Sequence, residues 1–278
     1  MQIIAHRGAS RYAPENTRAA FDLALEMGCS ALETDVRLTA DGVAVLMHDA
    51  TVDRVTDGRG PVDRLTWTEL TRLHVRWPDG PERLQPAQGE PPGIMRLEEF
   101  LERYLLAPAE EGHAPVVVLE LKAPGTPEAV HRALGARSGD FSPDRLVITS
   151  FDPALLERAR RLMPAVAIGL LARAVELAAL ETCSRLNADQ ICPSACSITP
   201  HAVEAARRQG LQVRVWGVHS DLRLLRRAWE AGADGATTDA PDMALAAVRS
   251  WQQLRADGSV PGPARPYSTA SAAGLEGP

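Results

Sequence analysis

Eight short apolar runs, opening at Ile3, Ala31, Val116, Leu146, Ala167, Ala188, Val213 and Gly235, punctuate this chain, and each leads into a helical pattern or a longer excursion. Residues 17–27 show the first such pattern. Ala20, Leu23, Ala24 and Met27 share one helical face, and Gly28 provides a C-terminal stop. Later units repeat it, with helices expected over residues 152–162, 174–182, 200–209, 221–231 and 241–254. Gly210 and Gly232 end two of these helices where the chain turns back to a strand. A helix between consecutive strands carries the chain back to the starting edge, so the strands run parallel. Eight of them is the count of an α/β fold, the closed (β/α)8 TIM barrel. An open doubly wound sheet is the alternative, but no glycine-rich phosphate loop follows the first strand.

At 278 residues with 45% hydrophobic side chains, the chain is long enough to bury the core of such a barrel, which is assigned to residues 1–255. The net charge of -6 argues against general nucleic-acid binding. No basic leader precedes the first strand and no apolar stretch reaches signal or spanning length, so a cytoplasmic location without a membrane span is expected. Cys29, Cys183, Cys192 and Cys196 are too few and too irregular for a disulfide framework, and with His201 they match no zinc spacing. Residues 50–96 break the alternation. This Pro- and Gly-rich stretch carries a helix candidate at 66–74 with Trp67 and Trp77, and reads as a small helical insertion near the site. Residues 256–278 offer little to bury and read as disordered.

Reactive residues gather at the ends of the apolar runs: His6-Arg7-Gly8, Glu33-Thr34-Asp35, His48-Asp49 and Glu120-Leu121-Lys122, with Glu15-Asn16-Thr17 ahead of the first helix. Barrels of this kind carry their chemistry at the C-terminal strand ends. Side chains two apart on a strand share a face, so Glu33 with Asp35, and Glu120 with Lys122, point into one space. Three carboxylates without a nearby cysteine suit a hard divalent cation, Mg or Ca, as cofactor. Lys122 is the single lysine among 30 basic residues, which marks a position that needs a compact point charge rather than a planar fork. Asn16 is expected to be the helix N-cap.

Taken in order, His6-Arg7-Gly8, Pro14-Glu15-Asn16-Thr17, Glu33-Thr34-Asp35-Val36, His48-Asp49 with Thr51-Val52-Asp53-Arg54, Glu120-Leu121-Lys122, and Gly232-Ala233-Asp234-Gly235 before Thr238-Asp239-Ala240-Pro241 resemble the glycerophosphodiester phosphodiesterase family. The resemblance implies a metal-dependent TIM-barrel hydrolase of lipid and glycerol metabolism. It would cleave a small-molecule glycerophosphodiester to glycerol 3-phosphate and an alcohol, and the insertion would be the family's small helical subdomain. Three departures bear on substrate preference, one of them the stretch from Asn187 to Ser197, which is only loosely family-like. Trp216-Gly217-Val218-His219 stands where the family usually reads Trp-Thr-Val-Asn, and Met95-Arg96-Leu97 where Pro-Thr-Leu is common.

On this resemblance, Glu33, Asp35 and Glu120 hold the metal, Arg7 and Lys122 hold the phosphate charge, and His6 and His48 are acid and base. Glu15 orients the site, Asp49 binds metal or supports its neighbours, and Trp216 walls the glycerol or alcohol part. The nucleophile is water or the adjacent glycerol hydroxyl. Two other functions stay open: a lysophospholipase D activity with an acyl groove from Trp67 and Trp77, and a non-catalytic phosphate-binding barrel.

Overall fold

The computed structural model describes residues 1–77, 92–107, 114–135 and 140–257. Its strands are β1 (Gln2–His6), β2 (Ala31–Leu38), β3 (Ala44–Leu46), β4 (Val116–Leu121), β5 (Leu146–Ser150), β6 (Ala167–Ala172), β7 (Gln190–Pro193), β8 (Gln212–Val215) and β9 (Gly235–Thr238). All but β3 are parallel, in the order β1-β9-β8-β7-β6-β5-β4-β2, and the pairing of β1 with β2 closes the ring. The expected eight-stranded barrel is therefore present. The run at residues 43–47 adds β3, which pairs antiparallel with the outer end of β2 through Val36 with Leu46 and Leu38 with Ala44.

The helices are α1 (Arg18–Glu26), α2 (Trp67–Leu70), α3 (Leu97–Leu101), α4 (Thr126–Leu134), α5 (Pro153–Leu162), α6 (Leu177–Leu186), α7 (Pro200–Arg207), α8 (Leu222–Ala231) and α9 (Pro241–Ala256). Several start on the residue that satisfies their free N–H groups: Asp152 accepts from the Ala154 amide, Thr199 from Ala202 and Asp221 from Arg223. The strand residues alternate between two cores. Ile3, Ala5, Val117 and Leu119 face the helices, whereas Ile4, Ala31, Val118 and Val147 fill the barrel interior. Each such aliphatic side chain contributes roughly 1.5–3 kcal/mol by leaving water.

The insertion packs against β3 and Met47 around a small core of Val45, Met47, Val52, Val55, Val62, Leu70, Val75 and Ile94. The helix expected over 66–74 is the single turn of α2. Thr66 and Glu69 form a reciprocal capping box at its start. Its continuation is diverted because the His74 amide donates to Asp57 Oδ1 at 2.9 Å and Val75 bridges to Thr56. The N-cap of α1 also differs from expectation: it is Thr17, whose hydroxyl accepts from the Ala20 amide at 3.4 Å. Asn16 instead takes a left-handed backbone (φ 58), a conformation asparagine tolerates, and turns its amide toward β2. The expected disordered end lies, from residue 258 onward, outside the described residues. None of the four cysteines is in a disulfide, and no described helix is long and apolar enough to cross a membrane.

Candidate active site

Because the interior-facing positions of a strand recur every second residue, the apolar barrel floor changes to polar chemistry one layer up. Ile4 is followed on its face by His6, Ala31 by Glu33 and Asp35, and Val118 by Glu120. Parallel register sets Asp35 beside Glu120 across β2 and β4, and His6 beside Glu33 across β1 and β2. Ligand oxygens of Glu33, Asp35 and Glu120 consequently lie within 4.8 Å of one another.

The turn after β1 is tight. Arg7 has a positive φ of 57°, uncommon for a side chain of its size, and its amide donates to both the backbone and the carboxylate of Glu33. Gly8 follows at φ 83°, and a Cβ there would sit 2.5 Å from the Ala20 carbonyl carbon, so only glycine fits between this turn and α1. The Arg7 guanidinium donates to Glu15 at 3.0 Å, and its Nε lies 3.1 Å from Asp35 Oδ2 without hydrogen-bond alignment. Lys122 Nζ lies 2.6 Å from Glu120 and 3.2 Å from Asp35 Oδ1. Asn16 completes the surround by donating to Asp35 Oδ2 and accepting from the Thr34 hydroxyl.

These charges divide the three carboxylates. Burial works against ionised Asp35, yet Arg7 and Lys122 pull its carboxyl well below the usual range. Glu33 is pushed well above that range by burial and then by the charges of Asp35 and Glu120. Glu120 is pushed up to about 7 by burial and by Asp35. The cluster thus has more negative charge than its two cations neutralise. Asp35 Oδ1 is buried and lacks an aligned hydrogen-bond donor. An oxygen-only donor set with an orphaned buried carboxylate oxygen fits a hard divalent cation.

Two imidazoles flank this group. His6 Nδ1 is 2.6 Å from Asp239 Oδ1, beyond the end of β9, and His48 Nδ1 is 2.6 Å from Asp49 Oδ1. A carboxylate on Nδ1 fixes each ring and leaves Nε2 for proton transfer. Burial, outweighing the attraction of Asp35, lowers the pKa of His48. Asp239 carries a second imidazole, His219 Nδ1, at 3.1 Å.

All eight residues picked out by sequence, namely His6, Arg7, Glu33, Asp35, His48, Glu120, Lys122 and Trp216, stand at this end of the barrel. Seven of them line one cavity of about 270 Å³, with Asp35 buried behind its wall. Trp216 donates through Nε1 to the Ala172 carbonyl and meets Phe151 edge-on at 5.4 Å, so the pair forms an apolar wall opposite the charges. Sequence reasoning gave no role to Asp239, Arg54 or Phe151. Asp239 and Phe151 directly follow β9 and β5, so the strand-end rule could have found them. Arg54 had no such signal. It donates twice to Glu15, at 2.7 and 2.8 Å, and reaches Asp49 at 2.7 Å, tying the His48 and Arg7 sides together.

A family model described as the glycerophosphoryl diester phosphodiesterase family matches residues 6–243. A glycerophosphodiester phosphodiesterase of Caldanaerobacter subterraneus is 32% identical over 252 residues, covering 89% of this chain and 97% of that protein. Among solved structures, a glycerophosphodiester phosphodiesterase from Agrobacterium tumefaciens matches with a TM-score of 0.71 at 29% identity, covering 88% of this chain and 99% of its own. An Oleispira antarctica phosphodiesterase in complex with the product sn-glycerol-3-phosphate gives 0.75 at 26%, covering 90% of this chain and 97% of its own. With its motif residues gathered around one cavity of a closed barrel, and with sequence and fold agreeing over most of its length, the chain belongs to the glycerophosphoryl diester phosphodiesterase family.

Proposed function

We propose that this chain hydrolyses a glycerophosphodiester to glycerol 3-phosphate and an alcohol, with Mg or Ca held by Glu33, Asp35 and Glu120. The observation that carries the reading is the pairing of a largely buried, under-neutralised carboxylate triad with two carboxylate-held imidazoles around one cavity. When bound, the cation supplies neutralisation of a nonbridging phosphate oxygen. Arg7 and Lys122 stabilise the remaining negative charge as it grows in the transition state. His48, kept neutral by burial, accepts the proton of the attacking hydroxyl or water. His6, oriented by Asp239, donates to the departing oxygen through Nε2. The Phe151–Trp216 wall takes the carbon skeleton of the glycerol or the alcohol. A cytoplasmic location is part of this reading, supported by the free, buried thiols of Cys29, Cys183 and Cys192.

A second reading, cleavage of lysophospholipids, draws support from Phe151, which is 48% exposed at the rim. It does not draw on the tryptophans of the insertion. Trp67 packs against the satellite core with Arg96 over its ring, and Trp77 lines a different cavity with Pro14 and Arg76.

Purified protein given glycerophosphocholine or glycerophosphoethanolamine in Mg, Ca or Mn should release the free alcohol, and EDTA should stop the release. Faster choline release from the lysophospholipid would select the second reading. Ligand binding with no product under any of the metals would defeat both.

A further inference from the structure

The cavity holds a second group of metal-capable side chains that the proposed hydrolysis uses only in part. One ring nitrogen each of His6 and His219 and a carboxylate oxygen of Asp239 all lie within 4.8 Å of one another. His6 Nδ1 stands 2.6 Å from Oδ1, and His219 Nδ1 stands 3.1 Å from Oδ2. We propose that these three residues form a zinc-class metal site, distinct from the carboxylate triad, and that filling it arrests turnover.

The two groups differ in donor chemistry. Glu33, Asp35 and Glu120 offer oxygen alone, which suits Mg or Ca. Two imidazole nitrogens and one carboxylate are a donor set that zinc takes with a fourth position left open, and that Mg and Ca disfavour. Excess Mg therefore does not compete effectively for the histidine group.

The backbone that carries the group is also held in place, so an ion need only open the 2.6 Å contact between His6 and Asp239. The carbonyl of His219 accepts from the Thr238 hydroxyl at 2.5 Å and from the Asp239 amide at 3.0 Å, which ties the loop bearing one ligand to the residue bearing another. That loop holds His219 in a left-handed backbone at φ 50°, a conformation uncommon outside glycine. On the far side, the Ser10 hydroxyl donates to the His6 carbonyl at 2.8 Å, and the two rings stand 6.1 Å apart at 67°. His219 has a side-chain exposure of 66%, so an ion reaches the group from the cavity mouth.

The chemistry of arrest follows from one atom. A cation on His6 Nδ1 displaces the proton of that nitrogen into solvent and leaves Nε2 as a fixed N–H. The ring can then no longer be an imidazolium: giving up the Nε2 proton would leave an imidazolate, so Nε2–H is a far weaker acid toward the departing oxygen and turnover stalls. Asp239 is also drawn away from its orienting role. This consequence rests on the proposed function, because it assigns proton transfer to His6; the binding itself does not.

The test uses the full-length protein saturated with Mg. One equivalent of zinc should bind by equilibrium dialysis, and turnover should fall by at least roughly tenfold without recovery on further Mg; chelation followed by fresh Mg should restore it. Co as a probe should show the visible bands of a nitrogen-ligated tetrahedral ion. In His219→Asn, which accepts the same backbone, activity in Mg alone should persist, the cobalt bands should vanish and zinc affinity should drop by more than about tenfold. Equal zinc binding and inhibition in wild type and H219N would overturn the proposal, since zinc would then be acting at the carboxylates. Failure of wild type to bind zinc would overturn it as well. Absence of hydrolysis in Mg alone, with zinc and cobalt still binding through His219, would instead defeat the functional reading and leave the site standing.

Discussion

Arg54 reaches from the insertion to two carboxylates at once, and through them to the imidazole of His48 and the guanidinium of Arg7: Asp49 holds His48 Nδ1, and Glu15 holds Arg7. Hydrogen bonds to Arg54, with further help from His48, hold the Asp49 carboxyl down at about 2. Arg54→Ala should leave the fold intact and cut kcat by about tenfold to a hundredfold, as loss of an outer partner of active-site groups does; Arg54→Lys, with one ammonium for two carboxylates, should rescue only part of it. The lone lysine makes a sharper case. Its Nζ sits within 2.6 Å of Glu120 in a nearly closed pocket, so the wider fork of Lys122→Arg should lower kcat/KM by more than roughly tenfold. Wild-type kinetics in that variant would leave the point-charge argument without support. For pH, the sign follows from burial. In the proposed mechanism His48 must be neutral to accept a proton, and its folded pKa lies below the ordinary 6.5. The acid limb of the kcat/KM profile should therefore fall below pH 6.5, and Asp49→Asn, which removes an anion that raises this pKa, should move it lower still. The strand-end residues were legible because short apolar runs ending in His, Asp, Glu or Lys announce a barrel mouth. The His6–Asp239 contact was not, because its partners are 233 positions apart and only closure brings them together.

At the scale of elements, the parallel strands were readable from their buried runs alone, while their edges were not. The runs placed at Ala188 and Val213 begin as strands at Gln190 and Gln212, and the helix expected from residue 174 starts at Leu177. Polar residues such as Gln190 pair within the ladder without contributing to an apolar pattern, so periodicity cannot mark them. The strand β3 was seen as an apolar run but not as a strand, since three residues carry too little alternation to read. Around α1 and α3, aromatic packing does what periodicity only suggests. Phe21 meets Phe100 at 4.7 Å between ring centres, Tyr104 meets both, and the Tyr104 hydroxyl donates to Asp22. Phe100 is fully buried, and Phe100→Ala should cost about 3–5 kcal/mol in urea unfolding. A cost under about 1 kcal/mol would mean that α3 does not dock as described.

For the molecule as a whole, the carboxylate triad sets stability against function. On the proposed function, three mutually repelling acids, two of them buried, are held together for the cation they would bind, so saturating Mg or Ca should raise the melting temperature by several degrees and EDTA should lower it. A melting curve indifferent to both would show that no cation sits among them. The barrel closes where its first strand meets its last, through Gln2 with Gly235 and Ala5 with Thr238. As the chain leaves the ribosome, everything up to β8 can emerge while His6 still waits for Asp239 and β1 still shows a bare edge. On the proposed mechanism, closing the barrel and completing the acid are therefore one event, because both wait for β9 to dock.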